Sequence, residues 1–305
     1  MEGIVDHHMR ALLTEVGGFH ACVTEFIRVI DQRLPDHVFH RYCPELLSGG
    51  RTAAGVPVVI QLLGGMPEAV AVNAQRAAEL GAPGVDINFG CPSKLVNRKA
   101  GGAVLLKEPD RVYDIVHAVR KAVPTHIPVS GKIRLGYEDT TLALENALAV
   151  EEGGANFITV HARTKVDGYK APARWQWLAH INDALAIPVV ANGDINSLED
   201  YRHCIEISGC TDIMIGRGAI ARPDLAQQIQ FPNIAPLQWC HIHQLLADVY
   251  RRMRAQPGFK AGQILGRIKQ WLALLKREYS EGQIAFSEVR LFKDTASLER
   301  WLTQA

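Results

Sequence analysis

The sequence predicts an α/β fold: a (β/α)8 TIM barrel, with its first strand missing at the N-terminus, followed by an all-helical C-terminal domain. Three observations point there. Short Val- and Ile-rich runs alternate with helical patterns through the first two thirds of the 305 residues, which is how a parallel sheet is written. The length and the number of units suit a barrel better than an open doubly wound sheet. No G-x-G-x-x-G follows an early strand, as a Rossmann fold would need.

The strand-like runs lie at 21–26, 58–63, 85–89, 128–135, 157–161, 188–191 and 212–215. Their apolar content reads as fully buried. Helical patterns fall between them at 68–80, 110–123, 142–152 and 198–207. The first follows Gly64-Gly65, and the third stops at Gly153-Gly154, a helix-ending signal. Seven strands can be counted where a barrel has eight, and the gap is at the start. Phe231-Pro232-Asn233-Ile234-Ala235-Pro236 reads as a linker. The expected domains are therefore 1–232, the barrel, and 233–305, mainly helical, with 263–278 its clearest amphipathic stretch.

Composition excludes several classes. With 48% hydrophobic and 21% charged residues, the chain is neither disordered nor fibrous. A formal net charge of +1 argues against a globally basic nucleic-acid binder and leaves room for a local basic face. Six scattered cysteines without a C-x-x-C fit a reducing cytoplasm and argue against a metal site or disulfide framework. No apolar run approaches ~18 residues, so no membrane partner is expected.

Barrel active sites sit at the C-terminal ends of strands. Those ends carry Gln61, then Asn88 and Cys91, then Lys132 and Arg134, then His161 and Arg163, then Asn192-Gly193-Asp194, and last Gly216-Arg217-Gly218. A single polar residue on a strand is usually a satisfied core group. Six strand ends with the same character make a site. Gly193, Gly216 and Arg217 suggest phosphate binding, since glycines let backbone N–H groups approach an anion and arginine adds a forked contact; ordinary turn glycine is the alternative. Lys132 is an embedded cation that needs a partner, because burying an ammonium is costly.

The segment Val85-Asp86-Ile87-Asn88-Phe89-Gly90-Cys91-Pro92-Ser93-Lys94 is the centre of this set. It starts as a strand and must leave it at Pro92, which cannot donate to a ladder. Cys91 could be a small buried hydrophobe, but its polar neighbours Asn88 and Lys94 speak for a site. From Asp86 to Lys94 the segment resembles the signature of the tRNA-dihydrouridine synthases, which are FMN-dependent. The resemblance continues through Val160-His161-Ala162-Arg163-Thr164 and into the C-terminal region. Thr24-Glu25-Phe26, Arg28-Val29-Ile30-Asp31-Gln32, Val38-Phe39-His40-Arg41 and Arg267-Ile268-Lys269-Gln270-Trp271-Leu272 resemble the bacterial branch acting on D-loop uridine 16.

The resemblance implies reduction of the C5–C6 double bond of a tRNA uridine to 5,6-dihydrouridine, with NADPH or NADH as reductant. It implies Cys91 as the proton donor. A thiol with an ordinary pKa near ~8.5 is protonated at neutral pH, as a general acid must be. It implies Met1, Glu2, Gln61, Lys132, His161, Asn192, Gly193, Asp194, Gly216 and Arg217 as FMN ligands, and Asn88, Lys94, Arg163, Arg267 and Lys269 as substrate contacts. His161 could instead be neutral and structural. Met1-Glu2-Gly3 resembles the motif after the family's first strand, so a start codon assigned too far downstream is expected.

The C-terminal region offers the tRNA contact. Arg251, Arg252, Arg254, Lys260, Arg267, Lys269, Lys276 and Arg277 occur in an interval without Asp or Glu, which suits a phosphate backbone. A solvated helix face is the alternative, and Trp271 could be core. The protein is expected to be monomeric. Three other functions stay open: an FMN barrel reducing free pyrimidines, a lyase using Lys132 as a Schiff base, and an inert tRNA-binding protein.

Overall fold

The computed structural model describes residues 3–256 and 258–304. Met1 and Glu2, expected to bind the cofactor, lie outside the described residues. The chain divides into two compact units, one made of 20–195 and 199–215, the other of 1–19, 196–198 and 216–305.

The first unit is built on eight parallel strand segments: β1 (Cys22–Val23), β2 (Ile27–Arg28), β3 (Val58–Leu63), β4 (Val85–Asn88), β5 (Val129–Arg134), β6 (Phe157–His161), β7 (Val189–Asn192) and β8 (Asp212–Met214). Both β1 and β2 pair with β3, so they share one strand position. The Thr24 hydroxyl accepts from the Gln61 backbone N–H at 3.0 Å between them, where a ladder carbonyl would otherwise serve. The strands then follow in chain order from β3 to β8. No reversal of order occurs, which sets the sheet apart from a doubly wound fold. It is a half-barrel, TIM-barrel-like, and among the described residues β1 and β8 pair on one side only.

Register divides the sheet into two chemically different faces. In parallel strands, side-by-side residues point the same way and alternate along the chain. One face carries Leu62, Ile87, Ile158 and Val189, then Ile133, Val160 and Ala191, all in the hydrophobic core. The other carries Gln61, Asp86 and Ser130, then Asn88, Lys132 and Thr159, then Arg134, His161 and Asn192. The strands were read as fully buried from their apolar content; on this second face polar residues gather beside the apolar Phe157 and Val190.

The helices up to the last strand are, in chain order, α1 (His7–Val16), which belongs to the second unit, α2 (Asp36–Tyr42), α3 (Pro67–Glu79), α4 (Lys94–Asn97), α5 (Pro109–Ala122), α6 (Ala143–Glu152), α7 (Gln176–Ala184) and α8 (Leu198–Ser208); α3, α5 and α6 share the core of the apolar face. In α5 the buried residues Val112, Ile115, Val116 and Val119 fall at helical spacing, with Pro109 at the first turn where its missing N–H costs nothing. Gly131 is the gap in the apolar face: a Cβ there would sit 2.9 Å from Val150 of α6.

The second unit adds α9 (Arg217–Ala221), α10 (Leu225–Gln230), α11 (Trp239–Ala255), α12 (Ala261–Leu275), α13 (Ser280–Val289) and α14 (Thr295–Thr303). Its core joins Met9, Leu12 and Leu13 of α1 to Ile242 and Leu246 of α11, Ile264, Ile268 and Leu272 of α12, and Leu298 of α14. This core draws on residues well upstream of the linker at 231–236. Trp271 is 2% exposed and its indole N–H donates to the Ile220 carbonyl at 2.8 Å, so it serves the core. Among the described residues no helix is long and apolar enough to cross a membrane.

Candidate active site

The polar face of the sheet is held by one directional chain of hydrogen bonds. The Gly90 N–H donates to Asn88 Oδ1 at 2.9 Å. The Asn88 amide donates to Gln61 Oε1 at 2.8 Å. Gln61 Nε2 donates to Asp86 Oδ2 at 2.7 Å. Ser130 Oγ donates to Asp86 Oδ1 at 2.7 Å. A backbone N–H starts the chain and a carboxylate ends it, so both amides have their orientation fixed. Each keeps one N–H beyond those bonds.

Asp86 was not expected to take part, although a carboxylate inside Val85-Asp86-Ile87 is itself a signal. It is 1% exposed. Burial pushes its pKa up to about 6, while Ser130, Gln61 and the Lys132 charge work against that rise. Lys132 lies on the next strand, one step along the same face. Its ammonium donates to Asn192 Oδ1 at 2.7 Å, and the Asn192 amide donates to the Met214 carbonyl at 2.7 Å. Burial draws the Lys132 pKa down to about 8; Asp86 resists and Arg134 assists. The partner expected for this cation is thus a neutral amide in contact and a carboxylate nearby.

His161, Arg163, Gly193 and Asp194 form a second cluster. Arg163, expected as a substrate contact, is 0% exposed and braces the structure from inside. Its Nε donates to the Lys170 carbonyl at 2.6 Å, and its Nη2 pairs with Asp194. Its Nη1 meets His161 Nε2 at 3.2 Å. A guanidinium only donates, so this histidine nitrogen accepts and the ring is the neutral Nδ1–H tautomer. Asp194 also receives the Ala173 amide at 2.8 Å. Gly193 has φ +121°, and a Cβ there would lie 3.0 Å from His161 Cδ2.

Cys91 is half-buried just beyond β4. Its carbonyl accepts from Asn97 Nδ2 at 2.9 Å and from the Ala103 amide at 3.1 Å, which fixes the backbone that carries the thiol. Arg134 secures the approach: its Nε donates to the Gly90 carbonyl at 2.7 Å, and its Nη1 to the carbonyls of Thr164 and Gly168. Its guanidinium lies 5.3 Å from the Tyr169 ring centroid. Lys94 is exposed at the start of α4. Gln61, Asn88, Lys132, His161 and Asn192 therefore share one face of the first unit, with Cys91 just past the end of β4.

Gly216 and Arg217 follow β8 and open the five-residue α9 of the second unit. The basic stretch of that unit is less free than its sequence suggests. Arg251 pairs with Asp248, Arg252 with Glu15 and Arg267 with Asp6. Burial favours a neutral Asp6, but Arg267 and the Met9 amide outweigh it and hold the carboxyl below its usual range. Lys269 donates to the Arg290 and Phe292 carbonyls at 2.9 and 2.5 Å. Arg267 and Lys269, expected on tRNA, are engaged within their own unit because acids and carbonyls from distant chain segments fold against them.

A profile of the family described as dihydrouridine synthase (Dus) matches residues 1–290. The tRNA-dihydrouridine(16) synthase of Shewanella oneidensis is 50% identical over 305 residues, covering 100% of this chain and 96% of that protein. The enzyme of the same name from Pseudomonas putida is 50% identical, covering 99% and 94%. That from Neisseria meningitidis serogroup A is 44% identical, covering 99% and 92%. The structure is similar to that of histamine dehydrogenase from Rhizobium sp. 4-9, with a TM-score of 0.53 and 15% identity, over 74% of this chain and 43% of that one. That likeness concerns the fold alone. A polar strand face ending in Asn88-Phe89-Gly90-Cys91-Pro92, together with a profile spanning nearly the whole chain, places this protein in the dihydrouridine synthase family.

Proposed function

We propose that the protein is a flavin-dependent tRNA-dihydrouridine synthase that uses FMN and NADPH and acts on uridine 16 of the D-loop. We place it in the cytoplasm as a monomer. The position follows the names of the relatives at 50% identity. The observation that carries the reading is the polar face of the sheet, where a cation and oriented amide donors face the same way as the strand end bearing Cys91. An FMN ring presents acceptor nitrogens and carbonyl oxygens, and this donor set fits it: the Lys132 ammonium, the remaining N–H of Gln61 and the Nδ1–H of His161. Bound FMN would supply the hydride for C6 of the uracil ring after reduction by NADPH.

The chain's own part is to bind, orient and protonate. Cys91 donates its Sγ proton to C5. The fixed carbonyl of Cys91 holds the thiol in place, and Asn88 directs its second N–H towards a ring carbonyl of the uridine. Lys132 places positive charge against the cofactor, which tunes such groups electrostatically. Gly193 and Asp194 serve the phosphate end. Lys94 serves the tRNA. A uridine must leave its stack to reach a strand end, and a loop base costs least to extrude.

The test is direct. Purified protein is expected to show a flavin spectrum that bleaches anaerobically with NADPH and to convert U16 of unmodified tRNA. Cys91→Ala keeps the flavin and its bleaching but loses conversion. A colourless protein would sink the cofactor, and full turnover by Cys91→Ala would sink the acid role. A Schiff base on Lys132, trapped by borohydride, would favour a lyase; the Lys132–Asn192 bond leaves the amine engaged and speaks against it.

A further inference from the structure

We infer that Asp86, which the proposed chemistry does not use, is a positioning residue that sets the orientation of the Gln61 and Asn88 amides and holds Lys132 in its charged form. The inference rests on the reading of this face as the cofactor site.

The geometry carries it in two steps. First, Asp86 is the terminal acceptor of the chain from Gly90 through Asn88 and Gln61. An ionised carboxylate has no proton to donate, so Gln61 must turn its NH2 towards Asp86 and its oxygen towards Asn88. That leaves donors, and no amide oxygen, beyond the chain. Second, Asp86 and Lys132 share the face on neighbouring strands, with Asp86 opposite Ser130 and Lys132 two residues further on. The charged groups facing Lys132 are Asp86 from β4 and Arg134 from β5 itself. The adjoining β3 and β7 present Gln61 and Asn192, which carry no charge, and β6 presents Thr159 and, beside Arg134, the titratable His161, whose Nε2 accepts from Arg163. Asp86 is thus the one negative group among them, set against Arg134, and its loss tips Lys132 towards the neutral amine.

Asp86→Asn isolates the charge. Its amide can present oxygen to Gln61 and NH2 to Ser130, whose hydroxyl can rotate to accept. The measurement is competitive acetylation of Lys132 in the purified full chain across pH, read by mass spectrometry. Each unit by which the amine's midpoint falls gives about tenfold more free amine at a pH below it. For a fall of one unit from about 8, the variant is expected to show about that increase at pH 6 and about fivefold at pH 7. Ser130→Ala, which keeps the charge and removes one of its hydrogen bonds, is expected to shift labelling the same way by less. FMN affinity, read by flavin fluorescence quenching, should match the wild type at pH 6 and weaken at pH 8 in Asp86→Asn. In Asp86→Leu, which removes the acceptor as well, it should weaken at both. Labelling curves that superimpose on the wild type, or affinity lost equally at both pH values in Asp86→Asn, would overturn the assignment. Acetylation needs no flavin, so a wild-type protein that fails to bind FMN would overturn the cofactor reading while the Lys132 curves still decide this one.

Discussion

Replacing Arg163 by Ala tests whether the second cluster is a brace or a contact for substrate. The side chain is fully enclosed, and its removal takes away the bond to the Lys170 carbonyl, the bond to His161 Nε2 and the pairing with Asp194. Hydrogen bonds to charged groups contribute about 1.5–3 kcal/mol each, but the losses do not add. Asp194 keeps the Ala173 amide and is 20% exposed, so it is not stranded. Breaking one side of a buried ion pair costs about 3–5 kcal/mol, and that range is the expected loss. Urea unfolding at pH 7, with midpoint and slope fitted together, measures it. Arg174→Ala is the internal control, because its pair with Asp167 is half-exposed on both sides and such pairs contribute about 0–1 kcal/mol. A loss below about 1 kcal/mol for Arg163→Ala, equal to the control, would refute the bracing argument.

Other outcomes follow from the same coordinates. The folded chain holds the Asp86 proton more tightly than the unfolded chain between pH 3.8 and about 6, so this group's contribution to stability falls as pH rises through that window. Asp86→Asn should therefore gain on the wild type by about 1 kcal/mol more at pH 7 than at pH 5 in urea unfolding; a gap that does not widen contradicts the raised pKa. Lys269→Met should cost about 1–2 kcal/mol, since it uncaps the two carbonyls that close α13, and thermal unfolding would show it without any change in cofactor content. Gly193→Ala forces a side chain into φ +121° and against His161; a cost of about 1–3 kcal/mol is expected, together with weaker FMN binding by fluorescence.

Much of the fold was legible because buried parallel strands announce themselves. The runs at 58–63 and 157–161 match β3 and β6 end to end. The first strand was read as continuous at 21–26, and the structure breaks it into β1 and β2, because a side-chain hydroxyl at Thr24 replaces a ladder acceptor and composition does not record that. The helix α7 was not expected; its buried residues are only Leu178 and Ile181, too sparse a stripe for periodicity. Of the strand-end residues, Gln61, Asn88, Lys132, His161 and Asn192 lie on one face, since alternation fixes which residues look the same way. Asp86 was missed because it sits mid-strand. The pairing of Arg163 with Asp194 and of Arg267 with Asp6, and the two carbonyls that Lys269 meets, were not legible, because charge is visible in a sequence and a partner far along the chain is not.

The alternation of β3 to β7 also has a meaning for assembly of the protein, apart from its chemistry. A strand docked one residue out of register turns every side chain to the opposite face. Here that slip would push Asp86 or Lys132 into the aliphatic layer under α5 and α6 and bring Ile87 or Ile133 out in its place. Such an error strands a charge in hydrocarbon, at a cost of several kcal/mol. A uniformly aliphatic strand would tolerate the same slip with little protest. The residues that await a cofactor therefore act earlier as markers of alignment, and a mispaired sheet is rejected by the groups that would have made it work.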